Sequence, residues 1–294
     1  MEFIKQGSTE RDKVGMYFTT IGIAFLSLVV GQLFTEALAV SFLGYSLMNV
    51  PEGADLNLTL SLLLIPFGFV LMGVVLSIKY LHKRPVISVF TSRESFDWKR
   101  FFTAFFSWGG IMSLFLIISI ISGSPIEWNL DWSTFIPLIL ISLFLIPIQT
   151  TAEEVLFRGY LFQGFGFVFK KGWVSILLTG ILFGLLHGAN PEVAKLGNLL
   201  LLFYIGTGVF MALISHMDDG IELSMGYHAV NNIFASLIVT NDWQAFHTNA
   251  MFIDHSEPVF GLESFLTVLV LQPLLILFFS KVYRWHNWKD KILK

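Results

Sequence analysis

Three groups of residues in this chain of 294 residues have side chains and spacings suited to chemistry. The first is Glu153-Glu154 with Arg158, in TAEEVLFRGYLF (151–162), directly after the apolar run FIPLILISLFLIPIQT (135–150). Ionised groups in such surroundings are costly, usually face a cavity and mark function. On a helix Glu154 and Arg158, four residues apart, share a face and can pair. Glu153 is rotated by about 100° from its neighbour, cannot share that arginine in the same geometry, and is left as a candidate general base. The plainer alternative is an interfacial ion pair that ends a helix ahead of Lys170-Lys171. The apolar stretch 159–169 (GYLFQGFGFVF) speaks against it, because the helix can continue and carry the pair deep.

The second group is LFGLLHG, with Phe183 and His187 four apart. A lone histidine on an apolar helix is more often a hydrogen-bonded structural residue and gains weight only from company. The third is GYHAVNN (226–232), in which His228 and Asn232 project from one helical face. An imidazole and an amide can both donate hydrogen bonds to a developing oxyanion. The alternative is a polar helix start after the acidic turn MDDGIE (217–222), and Asn231 faces about 100° away from Asn232. Peptide hydrolysis needs an activated water and oxyanion donors; the chain supplies candidates for both, and has no GxSxG nucleophile motif. Gln32, Glu36, Gln149, Asn198 and Gln272-Pro273 read most simply as interhelical hydrogen bonds. His82, His216, His247, His255 and His286 fall in loops or at interfaces and receive no role.

The elements that must position these groups are membrane helices. The chain is 55% hydrophobic and 13% charged, against about 25% charged in soluble domains. It contains no cysteine, which removes disulfides and thiolate metal ligands, and no basic tract for nucleic acid. A crossing takes about 20 apolar residues, and eight spans are expected: 16–46, 58–81, 101–123, 134–157 or further, 173–189, 196–217, 222–240 and 260–283. With both termini cytoplasmic, the inner segments and their flanks hold every Lys and Arg except Lys195, Arg158 counting as inner only if the fourth helix ends near it, in line with positive-inside charge bias. Ala37-Leu38-Ala39 looks like a signal-peptidase site, but the apolar run before it is longer than a signal core, so an uncleaved helix is expected. The fold class is therefore an all-α polytopic membrane bundle of about eight helices. It divides into 1–133 (helices 1–3, with a cytoplasmic amphipathic segment 83–102 along the inner membrane face), 134–241 (catalytic core, helices 4–7) and 242–294 (outer loop, which could form a short lid, helix 8 and basic tail), all one integrated domain.

Catalytic groups must also meet at one depth. If the fourth helix runs to Phe169, Glu153 lies about 24 Å and His187 about 22 Å from the inner turn. His228 lies only about 12 Å above Gly220, so its helix must tilt, or 218–226 must be non-helical backbone that dips into the protein, which is allowed only where it is buried.

The ordered set EExxxR, FxxxH and HxxxN on three helices, with Phe157-Arg158-Gly159 as an extension, resembles the CAAX-protease and bacteriocin-processing (CPBP or Abi) family of intramembrane proteases over roughly 135–240. The resemblance implies an endopeptidase with a water-filled cavity inside the bilayer. Glu153 would activate water, His187 would help to hold it, His228 and Asn232 would form the oxyanion site, and Glu154 with Arg158 would orient the base. Eukaryotic members remove the last three residues of prenylated CAAX proteins; bacterial members are linked to peptide maturation, bacteriocin immunity and surface-protein control. The expected partners are membrane lipid and a peptide or protein substrate, lipidated or not. The expected location is multi-pass in the plasma membrane if the source is bacterial, in an internal membrane if eukaryotic. No cofactor is required in this reading, because an arginine beside the carboxylates disfavours a divalent cation. The alternative is Zn2+ on Glu153, His187 and His228. A non-catalytic immunity or scaffold protein and an ion- or proton-coupled transporter stand as competing functions.

Overall fold

The computed structural model describes residues 2–8, 12–257, 261 and 265–293. Among them six helices are long and apolar enough to cross a membrane: α1 Val14–Leu43, α2 Leu56–Leu81, α3 Trp98–Ile121, α4 Trp132–Phe169, α5 Gly172–Ala189 and α6 Leu200–Asp218. The other two expected spans are shorter. α7 is Glu222–Ile233, prolonged by a π-helical turn over Phe234–Ile238, and α8 is Thr267–Val282. The start of the expected 260–283 span, apart from 261, lies outside the described residues, as do Arg11 and Lys294 of the basic flanks. The chain is an all-α polytopic membrane bundle, as its composition requires. α1 runs on through Ala37-Leu38-Ala39, with Ala39 fully buried.

Three helices start on an aspartate that accepts the unpaired amides of the first turn: Asp55 from Asn57 and Leu58, Asp97 from Lys99, and Asp131 from Ser133. Such caps satisfy donors that would otherwise be stranded at a helix start. At the end of the bundle where α4 begins, β1 (Ile126–Trp128) pairs antiparallel with β3 (Phe252–Asp254), and β2 (Val239–Thr240) pairs parallel with β3. The outer connection is fastened to the bundle over part of its described residues. Thr248 Oγ1 donates to the Ser236 carbonyl at 2.6 Å, Gln244 Nε2 donates to the Ala235 carbonyl at 3.1 Å, and Ala250 is fully buried.

α4 is the axis of the site. Its 38 residues reach about 57 Å at 1.5 Å per residue, so the expected continuation to Phe169 is present. Pro137 and Pro147 lie within it, and a π-helical stretch spans Val155–Leu161. Such stretches recur at functional sites. Gly159, in that stretch, allows the backbone of Val89 to touch α4; a Cβ there would collide with the Val89 carbonyl oxygen.

Val89 belongs to the segment expected to lie flat on the membrane. The segment is tied to the helix ends, where buried polar groups claim its arginines. Arg84 Nη1 donates to Gln163 Oε1 at 3.1 Å, and Arg93 reaches Asp218 Oδ2 at 3.1 Å and Glu222 at 3.3 Å. Arg100 Nε donates to Asp218 Oδ2 at 2.7 Å. These bonds cover the turn between α6 and α7, where only three residues leave the helix and Asp219 is left-handed at φ 57°. The turn is largely buried, and residues 222–226 are helical rather than irregular, so the non-helical alternative for 218–226 is confined to 219–221.

Candidate active site

α4 and α7 bring the first and third motifs together. Arg158 Nη1 donates to Glu154 Oε1 at 2.9 Å, with both side chains fully buried. That pairing matches the i,i+4 expectation. The same carboxylate oxygen accepts from His228 Nδ1 at 2.8 Å, which the sequence did not foretell. Two charged buried groups are tolerable together only when paired and hydrogen-bonded, and here a third group joins them. Arg158 also lies 4.0 Å from the centre of the Phe183 ring, a cation–π contact. Phe183 of the second motif is therefore the floor under the arginine.

Glu153 faces elsewhere, as its rotation requires. Gln149, one turn earlier, donates from Nε2 to Glu153 Oε1 at 2.7 Å. Glu153 Oε2 is buried without a hydrogen-bond partner and lies 3.5 Å from His228 Nε2. Glu153 is thus held at one oxygen and open at the other. Asn232 donates from Nδ2 to Gln149 Oε1 at 3.0 Å, and the same nitrogen is 3.5 Å from His228 Nε2. Gln149, read from sequence as one of several interhelical bonds, links the base candidate to the amide candidate. Asn231 accepts from the Trp108 indole at 3.2 Å and donates from Nδ2 to Asn232 Oδ1 at 3.3 Å.

His187 ends the regular part of α5. Its Nδ1 donates to the Phe183 carbonyl at 2.8 Å, which leaves Nε2 as the acceptor of a neutral ring. The ring stacks on Tyr204, centroids 4.5 Å apart; no spacing pattern in the sequence flags that tyrosine. α5 can lie this close to α6 because a Cβ at Gly208 would fall 2.7 Å from the Gly180 carbonyl oxygen. Small residues at such crossings are the usual means of close helix packing in lipid.

Glu153, Phe183 and His187 line one cavity of about 510 Å³ between α1, α2, α4 and α5. Its walls are mostly apolar, with Leu28, Val70, Leu156 and Phe157 at one end and Glu36, Leu47 and Met48 at the other. A larger cavity of about 1040 Å³ at the opposite end of the bundle contains none of the motif residues.

Glutamate and histidine are zinc-ligand types, and a catalytic zinc takes three protein ligands. Among the described residues no three His, Asp or Glu side chains are arranged to hold one ion. His228 Nδ1 is engaged by Glu154 and Glu153 Oε1 by Gln149, so an ion on Glu153, His187 and His228 would have to use Glu153 Oε2 and the two Nε2 atoms.

The fold defines a polytopic helical membrane protein in which Glu153 and His187 line a cavity, while Glu154, His228 and Asn232 are packed beside Glu153 but outside that lining. Residues 132–234 match the family described as type II CAAX prenyl endopeptidase Rce1-like. The chain is also 31% identical over 229 residues to the uncharacterized protein YyaK of Bacillus subtilis (strain 168), covering 76% of this chain and 74% of that one. No solved structure matches. The chain belongs to the Rce1-like family of CAAX-type intramembrane proteases (CPBP).

Proposed function

We propose that this protein is an intramembrane endopeptidase that hydrolyses a peptide bond with water activated by Glu153. The observation that carries this reading is the asymmetry of Glu153, which lines the cavity with His187: Oε1 is fixed by Gln149, while Oε2 has no hydrogen bond among the described residues and lies 3.5 Å from His228 Nε2. In this mechanism Glu153 Oε2 takes a proton from water as the water oxygen attacks the scissile carbonyl carbon. His187, with its free Nε2, helps to hold that water. Asn232 offers its amide to the oxyanion. His228 donates from Nε2 only when both ring nitrogens carry protons, since Nδ1 is turned to Glu154; in that form it can stabilise the oxyanion or pass a proton to the leaving amine. Glu154, held by Arg158, fixes the ring in that orientation. The eight-span topology with both ends cytoplasmic belongs to the same reading and rests on the distribution of Lys and Arg. The substrate class is a membrane-associated peptide or protein.

The test is cleavage of a peptide library by the purified protein in liposomes, compared with Glu153→Gln and His187→Ala. Loss of about 10²–10⁴ in rate is expected for removal of a general base. Cleavage insensitive to both substitutions would remove this site from the reaction. An intact biological effect in the Glu153→Gln variant would favour a scaffold or immunity role.

A further inference from the structure

Glu36 was read from sequence as one of the scattered polar residues of the first span. Among the described residues it makes no hydrogen bond to another side chain; its Oε2 accepts from the Leu47 amide at 3.0 Å, just beyond the end of its own helix. More tellingly, it lines the same cavity as Glu153 and His187. Those three are the titratable side chains of the lining, and among the described residues no Lys or Arg reaches it. Arg158 lies behind the wall and is already matched by Glu154. The lining is therefore mostly apolar, with two carboxylates and no lysine or arginine.

Along α1 the lining extends from Leu28 to Glu36, eight residues or about 12 Å. An extended peptide covers about 3.3 Å per residue, so this space takes three or four residues on one side of a cut bond. A substrate cut three residues from its end would bring a terminal carboxylate into this space, where carboxylates wait and no cation answers it. A lysine or arginine side chain at the same place would meet Glu36. In apolar surroundings such charge pairs are screened little, and a cleft of one sign concentrates ligands of the other.

We propose that Glu36 is a specificity-determining residue: the cavity selects an apolar substrate segment that places a basic side chain, rather than a free terminal carboxylate, within three or four residues of the cut bond. The substrate class is then an internal segment of a membrane-associated polypeptide. This rests on the endopeptidase reading of the same cavity.

The test uses one apolar fluorescent peptide scaffold in liposomes, with Lys, Gln or Glu scanned across the positions flanking its centre and with the C-terminus free or amidated. Both cleavage and binding are measured, binding on Glu153→Gln protein. Each is repeated with Glu36→Gln, which can still accept the Leu47 amide, and with Glu36→Lys. The expected result is a preference of tenfold or more for Lys over Glu at one scanned position. It should collapse in Glu36→Gln and invert in Glu36→Lys, with the Gln peptide handled alike by all forms. A preference that persists in Glu36→Gln, or no preference at all, overturns the proposal while leaving proteolysis intact. The charge preference in binding without cleavage of any peptide supports the selectivity and overturns the proteolytic reading. Neither binding nor cleavage overturns both.

Discussion

Gln149 stands one helical turn before Glu153 and donates its amide to that carboxylate at 2.7 Å. Its own carbonyl accepts from Asn232 of another helix at 3.0 Å. One neutral side chain thus sets the relative position of the two groups that the proposed reaction needs most.

Gln149→Leu is expected to lower kcat by about 10²-fold, the scale of a displacement of about 1 Å in a reacting group, with KM little changed. Gln149→Glu should do the same, because it places a like charge beside Glu153. Steady-state kinetics on a cleaved peptide checks this; unaltered kcat in both variants would make Gln149 a packing residue only.

The Glu154–Arg158 pair should matter more to the fold than its number of bonds suggests. Arg158→Met leaves a carboxylate fully buried and without its cation, and breaking one side of a buried pair costs about 3–5 kcal/mol. The double variant Glu154→Gln with Arg158→Met removes both charges and should recover part of the loss. Denaturation in a mild detergent, followed by tryptophan fluorescence, reads the difference; equal destabilisation of the two forms would contradict it.

Prolonged dialysis against a chelator is expected to leave peptide cleavage unchanged, since in the proposed mechanism Glu153 activates the water and Arg158, beside the carboxylates, disfavours a divalent cation. Activity lost on chelation and restored by zinc would transfer water activation to a metal.

Stability should fall on mild acidification through His82, which lies just beyond the end of α2. Its Nδ1 faces Asp12 at 2.5 Å and its Nε2 faces the Tyr160 hydroxyl at 2.9 Å, with Thr20 at 3.3 Å. Burial pushes this imidazole below its ordinary range, against the pull of Asp12 and with the help of the nearby Arg84 charge. Below about pH 6.5, where an unperturbed histidine titrates, the unfolded chain binds a proton that the folded protein accepts only at lower pH, so stability declines as pH falls. Melting between pH 8 and 5 should show that decline, and His82→Gln should flatten it while lowering the melting temperature at pH 8. An identical slope in both proteins would assign the acid sensitivity elsewhere.

Much of the bundle was legible because two signals are local. Apolar length marked the helices, and i,i+4 spacing put Glu154 beside Arg158 and His228 beside Asn232. What the spacing could not show was which groups face each other across helices. The bond from His228 to Glu154, the stack of Tyr204 on His187 and the role of Gln149 are all tertiary. A regular 3.6-residue repeat also fails over Val155–Leu161, where the π-helical stretch changes the facing of everything after Glu154. The segment 83–102 was legible only in part, because mixed basic and aromatic residues do not reveal that Arg93 and Arg100 meet the buried Asp218 and Glu222.

The bonds from Thr248 and Gln244 to the carbonyls of Ser236 and Ala235 fasten the end of the helix that carries Asn232. A carboxamide moored in this way is in register before any peptide arrives. Its ordering belongs to the folding of the protein and need not be repeated at each turnover, so loosening that distant mooring would weaken the site without touching a single residue in it.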